Sequence, residues 1–379
     1  MSDVVALATQ LADEFRPRAA QYDRTGEFPT ENYNRMREAG YLRALVPEEL
    51  GGLGATLAEM SQAQRALARG CASTALAVNM HHFQVGTAAD AWRKGGPTEP
   101  VLRRIANEGI VLASTGAEAI VNGDWSPSTT ATKDGEDYVI TGRKFFCSQA
   151  SGFDVVRVNA LDSESGDTLV FAIPRSAEGV GVDETWDTMG MRATASHDLT
   201  LDNVRMPATA IGARWSGPPM RAVPMPTVSR WFLCMISGVY LGIAEEARAE
   251  AYKALGKGIN SSFRDEALTN VLVGEMEASF RTGSSVLESV TRELDEAPTD
   301  LQHSLTQAVL CKEVVTTHAI ATVDKAIEIA GGKAFFRKSP LERLARDVRA
   351  GRFHPPASPI SFQLIGERSR ESMKEAAPA

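Results

Sequence analysis

The feature that most constrains this chain is a change of hydrophobic period, from helical to alternating and back to helical. Val4, Leu7, Leu11 and Phe15 recur at three- and four-residue spacing, which lays one apolar stripe along a helix. Pro29-Thr30 opens a second helix with Thr30 as its N-cap, and Gly40 supplies its stop. The glycine-rich run VPEELGGLGAT turns tightly, and the alanine-rich stretches Leu57 to Gly70 and Ser73 to Trp92 read as helix again. Near Val111 the period shortens. Asp134-Gly135 lies between two β-prone runs and predicts a hairpin, and DVVRVNAL, TLVFAIP and SHDLTLDNVRMP follow as further strands. Beyond Gly217-Pro218-Pro219 three long apolar-faced stretches return to the helical period and suggest an antiparallel bundle. The chain therefore reads as α+β, with a helical region at 1–112, a β region at 113–218 and a helical bundle at 219–379.

Composition narrows the functions open to such a chain. A formal net charge of −8 and the lack of any basic run argue against nucleic acid as a partner. Cys71, Cys147, Cys234 and Cys311 lie far apart, with no C-x-x-C, so neither a zinc site nor a disulfide framework is indicated. The longest apolar run, Trp231 to Ala244, is shorter than the roughly 20 residues that span a bilayer. The acidic, helix-periodic N-terminus is unlike a secretory leader, and the expected location is cytoplasmic.

Four segments, in order, carry a resemblance. They are FPTENYNRMREAGYLRALVPEELGGLGAT, DGEDYVITGRKFFCSQASGFDVVRV, WDTMGMRATASHDLTLDNVRMP and AIEIAGGKAFFRKSPLERLARDVRAGRF. Together they resemble the acyl-CoA dehydrogenase superfamily over nearly the whole chain. The resemblance implies an N-terminal helical domain, a middle β-barrel-like domain and a C-terminal four-helix bundle. It also implies a bound flavin (FAD or FMN), and a homotetramer.

By the same resemblance, Phe146 takes the place of an aromatic beside the flavin ring and Ser148 that of the hydroxyl near N5. Thr115 and Gly116 fall where the family presents a loop to the flavin, although STGAEAIVNGD departs from the family pattern. Gly331-Gly332 matches the turn that lets backbone approach the adenosine diphosphate half, where a Cβ would obstruct. A helix C-cap is the alternative use of that glycine. Lys253 stands where the family carries an arginine, and Glu328 where it carries glutamine, so FMN or transiently bound reduced flavin stays open beside FAD.

Dehydrogenation α to a thioester needs a base, which the family supplies as glutamate. Here Pro355 occupies that place after the Arg-Asp segment, and the alternative position on the first bundle helix falls near Ser229. A second branch of the superfamily fits better: monooxygenases of the p-hydroxyphenylacetate hydroxylase and dibenzothiophene monooxygenase type, which take reduced flavin from a separate reductase. His354, and His81 or His82, are the expected proton carriers, since imidazole titrates near neutrality. Arg230 is expected to form a structural ion pair. Two alternatives remain at this point. One is a dehydrogenase whose base is displaced, for instance to Glu118, and the other a non-catalytic flavin-binding partner subunit.

Overall fold

The computed structural model describes residues 3–115, 127–216, 225–256, 266–295 and 300–375. The first helix, α1 (Asp3–Thr25), buries Val4, Leu11 and Phe15 and half-buries Leu7, as the stripe requires. In α2 (Thr30–Glu38) the cap is Pro29 rather than Thr30. The Thr30 hydroxyl donates back to the Phe28 carbonyl (3.5 Å), and no side chain caps this helix. Gly40 ends the turn in the left-handed region (φ 78°), where glycine bears no Cβ penalty.

α3 (Leu57–Gly70) begins with a capping box. Thr56 Oγ1 accepts from the Glu59 amide at 3.2 Å, and the Thr56 amide donates to Glu59 Oε2 at 3.1 Å. The remaining amides of its first turn, Leu57 and Ala58, donate to the Asp295 carboxylate (2.6 and 3.1 Å). A residue from the end of another helix thus completes the cap. The buried α4 (Ala72–Arg93) and the shorter α5 (Glu99–Glu108) finish the first helical region.

Eight strands follow: β1 (Leu112–Thr115), β2 (Thr130–Asp134), β3 (Asp137–Cys147), β4 (Val155–Asp162), β5 (Asp167–Pro174), β6 (Val180–Asp183), β7 (His197–Pro207) and β8 (Ile211–Ser216). They form one sheet in the order β6-β7-β3-β2-β4-β5-β8, with β1 added in parallel to β4. The expected hairpin is present, β2 against β3, with Gly135 at φ 64° between them. One face of the sheet closes over its own core of Ala113, Val156, Val158, Phe171 and Leu199. At the β1–β4 corner the other face turns to the helices, where Leu112 and Val155 join the helical core.

The C-terminal helices are α6 (Met225–Gly256), α7 (Glu266–Asp295), α8 (Leu301–Ala330), α9 (Pro340–Arg349) and α10 (Ser358–Glu375). α6 is long and apolar enough to cross a membrane, yet most of it is buried against α8, α3, α4 and α7. Gly238 and Gly242 permit that packing: a Cβ there would stand 2.3 Å from the Ser61 carbonyl oxygen and 2.2 Å from that of Arg65. The four cysteines are buried and free.

Candidate functional site

At the end of β3 the backbone leaves ordinary geometry. Phe146 (φ 56°) and Gln149 (φ 58°) are left-handed, as are Met191 (φ 54°) and Ala195 (φ 45°) on the segment that faces them before β7. Four non-glycine residues in that region, on two apposed segments, mark stored strain held by the surroundings. The Gln149 amide donates to the Thr194 carbonyl (2.8 Å) and the Ala150 amide to that of Ala195 (3.0 Å), which joins the segments. Gln149 also ties the strand exit inward. Its Nε2 donates to the Leu112 carbonyl (2.7 Å), and its Oε1 accepts from the Tyr33 hydroxyl (2.6 Å).

This frame presents one aromatic and a row of hydroxyls. Phe146 is 63% exposed, with Trp186 edge-on at 6.2 Å. Ser148 Oγ lies 2.9 Å from Ser196 Oγ, which lies 2.8 Å from Thr194 Oγ1. Thr115 is buried, and its hydroxyl donates to the Phe145 carbonyl at 3.0 Å, locking β1 to the β3 exit. Thr115, Phe146 and Ser148 are therefore brought together. Gly116 and Glu118 lie outside the described residues.

The Arg-Asp pair of α9 fastens the strained segment from the helical side. Asp347 accepts from the Met191 amide at 2.6 Å, and burial pushes its carboxyl up to about 6. Arg346 donates to the Met189 carbonyl (2.8 Å) and is gripped by Asp23 (2.6 Å) and Glu342 (2.8 Å). A Cβ on Gly190 would meet the Arg346 backbone at 2.5 Å, so α9 sits directly on this segment.

Just beyond α9, His354 folds back onto α6. Its Nε2 lies 2.5 Å from the Tyr240 hydroxyl, and its ring stands edge-on to Phe232 at 6.1 Å. Phe83 of α4 continues the stack at 5.5 Å from Phe232. His354 is half-buried, yet burial around the ring, with a smaller push from Lys312, brings its pKa down to about 4. The imidazole is neutral near pH 7, and Tyr240 stays protonated because burial raises it well above 10. Nδ1 of His354 has no partner among the described residues.

Pro355 is exposed and Ser229 buried, so neither place offers a carboxylate. Glu313 is buried beside this loop. Burial raises its pKa, but hydrogen bonds from Lys312 (2.7 Å) and from the Ser361 and Ser358 hydroxyls outweigh that and leave it below the usual value. Such a carboxylate is a poor base. Arg230 pairs with Asp90 and donates to the Leu294 carbonyl (2.9 Å), the structural use expected of it.

The remaining residues are held in other ways. His81 spends both ring nitrogens on backbone, with Nε2 2.7 Å from the Leu42 carbonyl and Nδ1 accepting from the Leu112 amide at 3.1 Å. A ring bonded in this way has no nitrogen left for a substrate. His82 is fully buried, with no hydrogen-bond partner on either nitrogen and Tyr41 edge-on at 5.0 Å. Lys253 is exposed and paired with Glu250 (2.6 Å). Gly331 (φ 67°) serves as the C-cap of α8, the alternative use named for it, while a Cβ on Gly332 would meet nothing within 4 Å. Glu328 is paired with Lys325 at 3.0 Å.

Several of these residues had no sequence signal of their own. Tyr240 sits at helical spacing inside an apolar run, where it reads as core. Trp186, Thr194 and Ser196 sit some forty to fifty residues from Phe146 and Ser148 in the chain, and only the β3–β7 pairing joins them.

Comparison with known proteins agrees with this architecture. Models of the acyl-CoA dehydrogenase N-terminal, middle and C-terminal domains match residues 5–109, 122–204 and 234–359. YdbM of Bacillus subtilis (strain 168), provisionally named an acyl-CoA dehydrogenase, is 32% identical over 96% of this chain and 95% of its own. The amino sugar nitrososynthase DnmZ of Streptomyces peucetius is 31% identical over 88% of this chain and 84% of its own. Among solved structures, KijD3 in complex with FMN and dTDP-3-amino-2,3,6-trideoxy-4-keto-3-methyl-D-glucose superposes with a TM-score of 0.88. It is 26% identical over 98% of this chain and 95% of that one. The chain belongs to the acyl-CoA dehydrogenase family.

Proposed function

We propose that this protein is a flavin-dependent oxidoreductase working as a monooxygenase on a small molecule, with reduced flavin delivered by a separate reductase. The observation that carries the reading is the His354–Tyr240 pair, a neutral imidazole with one nitrogen held by a phenol, beside the Pro355 position where the family resemblance leads one to expect a carboxylate base. The nitrososynthase relatives and the FMN in the KijD3 structure support the same branch.

The residues at the β3 exit fit a planar ring with polar edges. Phe146 offers an exposed face beside Trp186, and Ser148 a hydroxyl at the end of a hydrogen-bonded row. Phe146 and Ser148 would hold the isoalloxazine, with Thr115 and the backbone towards Gly116 at its edge. The flavin supplies the electrons and the oxygen chemistry there. The protein does the rest. Tyr240 fixes the His354 ring, Phe83 and Phe232 keep water from it, and Nδ1 passes a proton to or from the substrate. Gly331, Gly332 and Lys253 would touch the adenosine diphosphate half if FAD is bound. FMN lacks that half, so these residues would then be idle. Exposed Phe335, Phe336, Phe353 and Phe362 suit burial against further copies of the chain, the expected homotetramer.

The test is product analysis with reduced FMN, a reductase and ¹⁸O₂ over a panel of amino-sugar, aromatic and organosulfur substrates. Incorporation of one ¹⁸O is expected. The relative YdbM favours a second reading, dehydrogenation with a displaced base. Anaerobic bleaching of bound oxidised flavin by an acyl-CoA would establish that reading and overturn ours.

A further inference from the structure

The corner where β1 joins β4 carries a cation left unmatched among the described residues. Arg157 on β4 stands opposite Ser114 on β1, with Asn159 two residues along the same face. That face is the one turned to the helices, since Leu112 and Val155, in the same alternation, pack into the helical core. The opposite face, with Ala113, Val156 and Val158, fills the core of the sheet.

Among the described residues Arg157 has no hydrogen bond, carboxylate or aromatic ring as partner, and its guanidinium is not sealed from solvent. Other arginines of the sheet are matched. Arg143 pairs with Asp183 and Asp198, Arg205 with Asp134 and Asp137, and Arg214 with Asp162 and Asp167. Burial disfavours the charged form of Arg157, which is half-buried. The side chains of Ser114 and Asn159 likewise have no protein partner among the described residues. A guanidinium, a hydroxyl and an amide lie on one face of the β1–β4 corner, and all can donate. A half-buried cation without a counterion is unfavourable until an anion reaches it.

We infer that Arg157, with Ser114 and Asn159, forms an oxyanion subsite that takes a phosphate, carboxylate or sulfinate group on the helix-facing side of the β1–β4 corner. The planar fork of arginine suits such a group through two parallel hydrogen bonds. The inference rests on the flavin reading of the β3 exit for its place in the reaction. Thr115 bonds the Phe145 carbonyl, so β1 separates Arg157 from Phe146 and Ser148. Two strand spacings put the subsite roughly 10 Å from them. A substrate bound there by its anionic end would reach the reacting ring, and so would the phosphate of FMN in the other direction. Both sources offer the same chemistry.

The experiment compares wild type, Arg157→Met and Arg157→Lys in three titrations: inorganic phosphate, FMN, and riboflavin, which lacks the phosphate. Wild type is expected to bind phosphate saturably, Arg157→Met at least tenfold more weakly, and Arg157→Lys in between. If the anion belongs to the substrate, phosphate still binds after FMN saturation, and Arg157→Met binds FMN as wild type does. If it belongs to the cofactor, FMN blocks phosphate, and Arg157→Met weakens FMN but not riboflavin. Thermal unfolding of the ligand-free variants supplies a separate readout. Arg157→Met should match or exceed the wild type, because a purely structural arginine would lower the melting temperature when removed. Equal phosphate and FMN binding in wild type and Arg157→Met, or a large loss of stability, overturns the subsite. Failure of the wild type to bind riboflavin or FMN would instead count against the flavin reading, with the phosphate titration still reporting on Arg157.

Discussion

His81 and His354 belong to two regions that burial treats alike and hydrogen bonding treats differently. Both imidazoles are brought down to about 4 by desolvation, so both are neutral near pH 7. His81 spends its nitrogens on the Leu42 carbonyl and the Leu112 amide, and so ties the first helical region to the first strand. His354 spends one nitrogen on a side-chain hydroxyl and keeps the other free, at the rim of an aromatic stack. A shifted pKa therefore does not by itself distinguish a working histidine from a structural one. The partners do.

The largest effect expected from breaking this contrast is on turnover. His354→Ala should reduce kcat about a hundredfold or more, the usual worth of a positioned proton carrier, while the melting temperature moves little. Steady-state kinetics with the substrate found by ¹⁸O labelling checks it, and unchanged turnover would remove His354 from the chemistry. His81→Ala should do the reverse. It leaves a buried amide and carbonyl unpaired and opens a cavity, for a loss of about 2–4 kcal/mol in urea unfolding. Activity per folded molecule should survive.

Tyr240→Phe tests the link between the two effects. Loss of one hydroxyl should cost about 1 kcal/mol of stability. It should also lower kcat roughly tenfold with KM nearly constant, because the imidazole is no longer held. Equal falls in stability and no change in kcat would leave Tyr240 a packing residue.

The last effect is on acid stability. Each histidine has a folded pKa near 4 against 6.5 for the free group, so the unfolded chain takes up protons first as pH falls. Their contribution is complete above pH 6.5 and is lost progressively towards pH 4. Asp347, raised to about 6, works in the opposite sense between its ordinary 3.8 and 6, because there the folded state binds the extra proton. Urea midpoints should therefore decline from pH 7 to 4, and His81→Asn should make the decline shallower.

The sequence by itself determined the order of the architecture. Periodicity is local, so the stripe on α1, the β2–β3 hairpin at Asp134-Gly135 and the long bundle helices could all be read without knowing what they touch. The strand that ends at Phe146 and Ser148 could be read in the same way, since a strand end and its turn are continuous in the chain. Tertiary structure alone decided which histidine has a free nitrogen, because the partners of His81 and His354 lie 39 and 114 residues away. It likewise decided that Thr194 and Ser196 stand beside Ser148, and that Arg157 faces the helices with no counterion among the described residues. Hydrogen-bond partnership and desolvation are properties of contacts, and a linear pattern carries no record of contacts between distant segments.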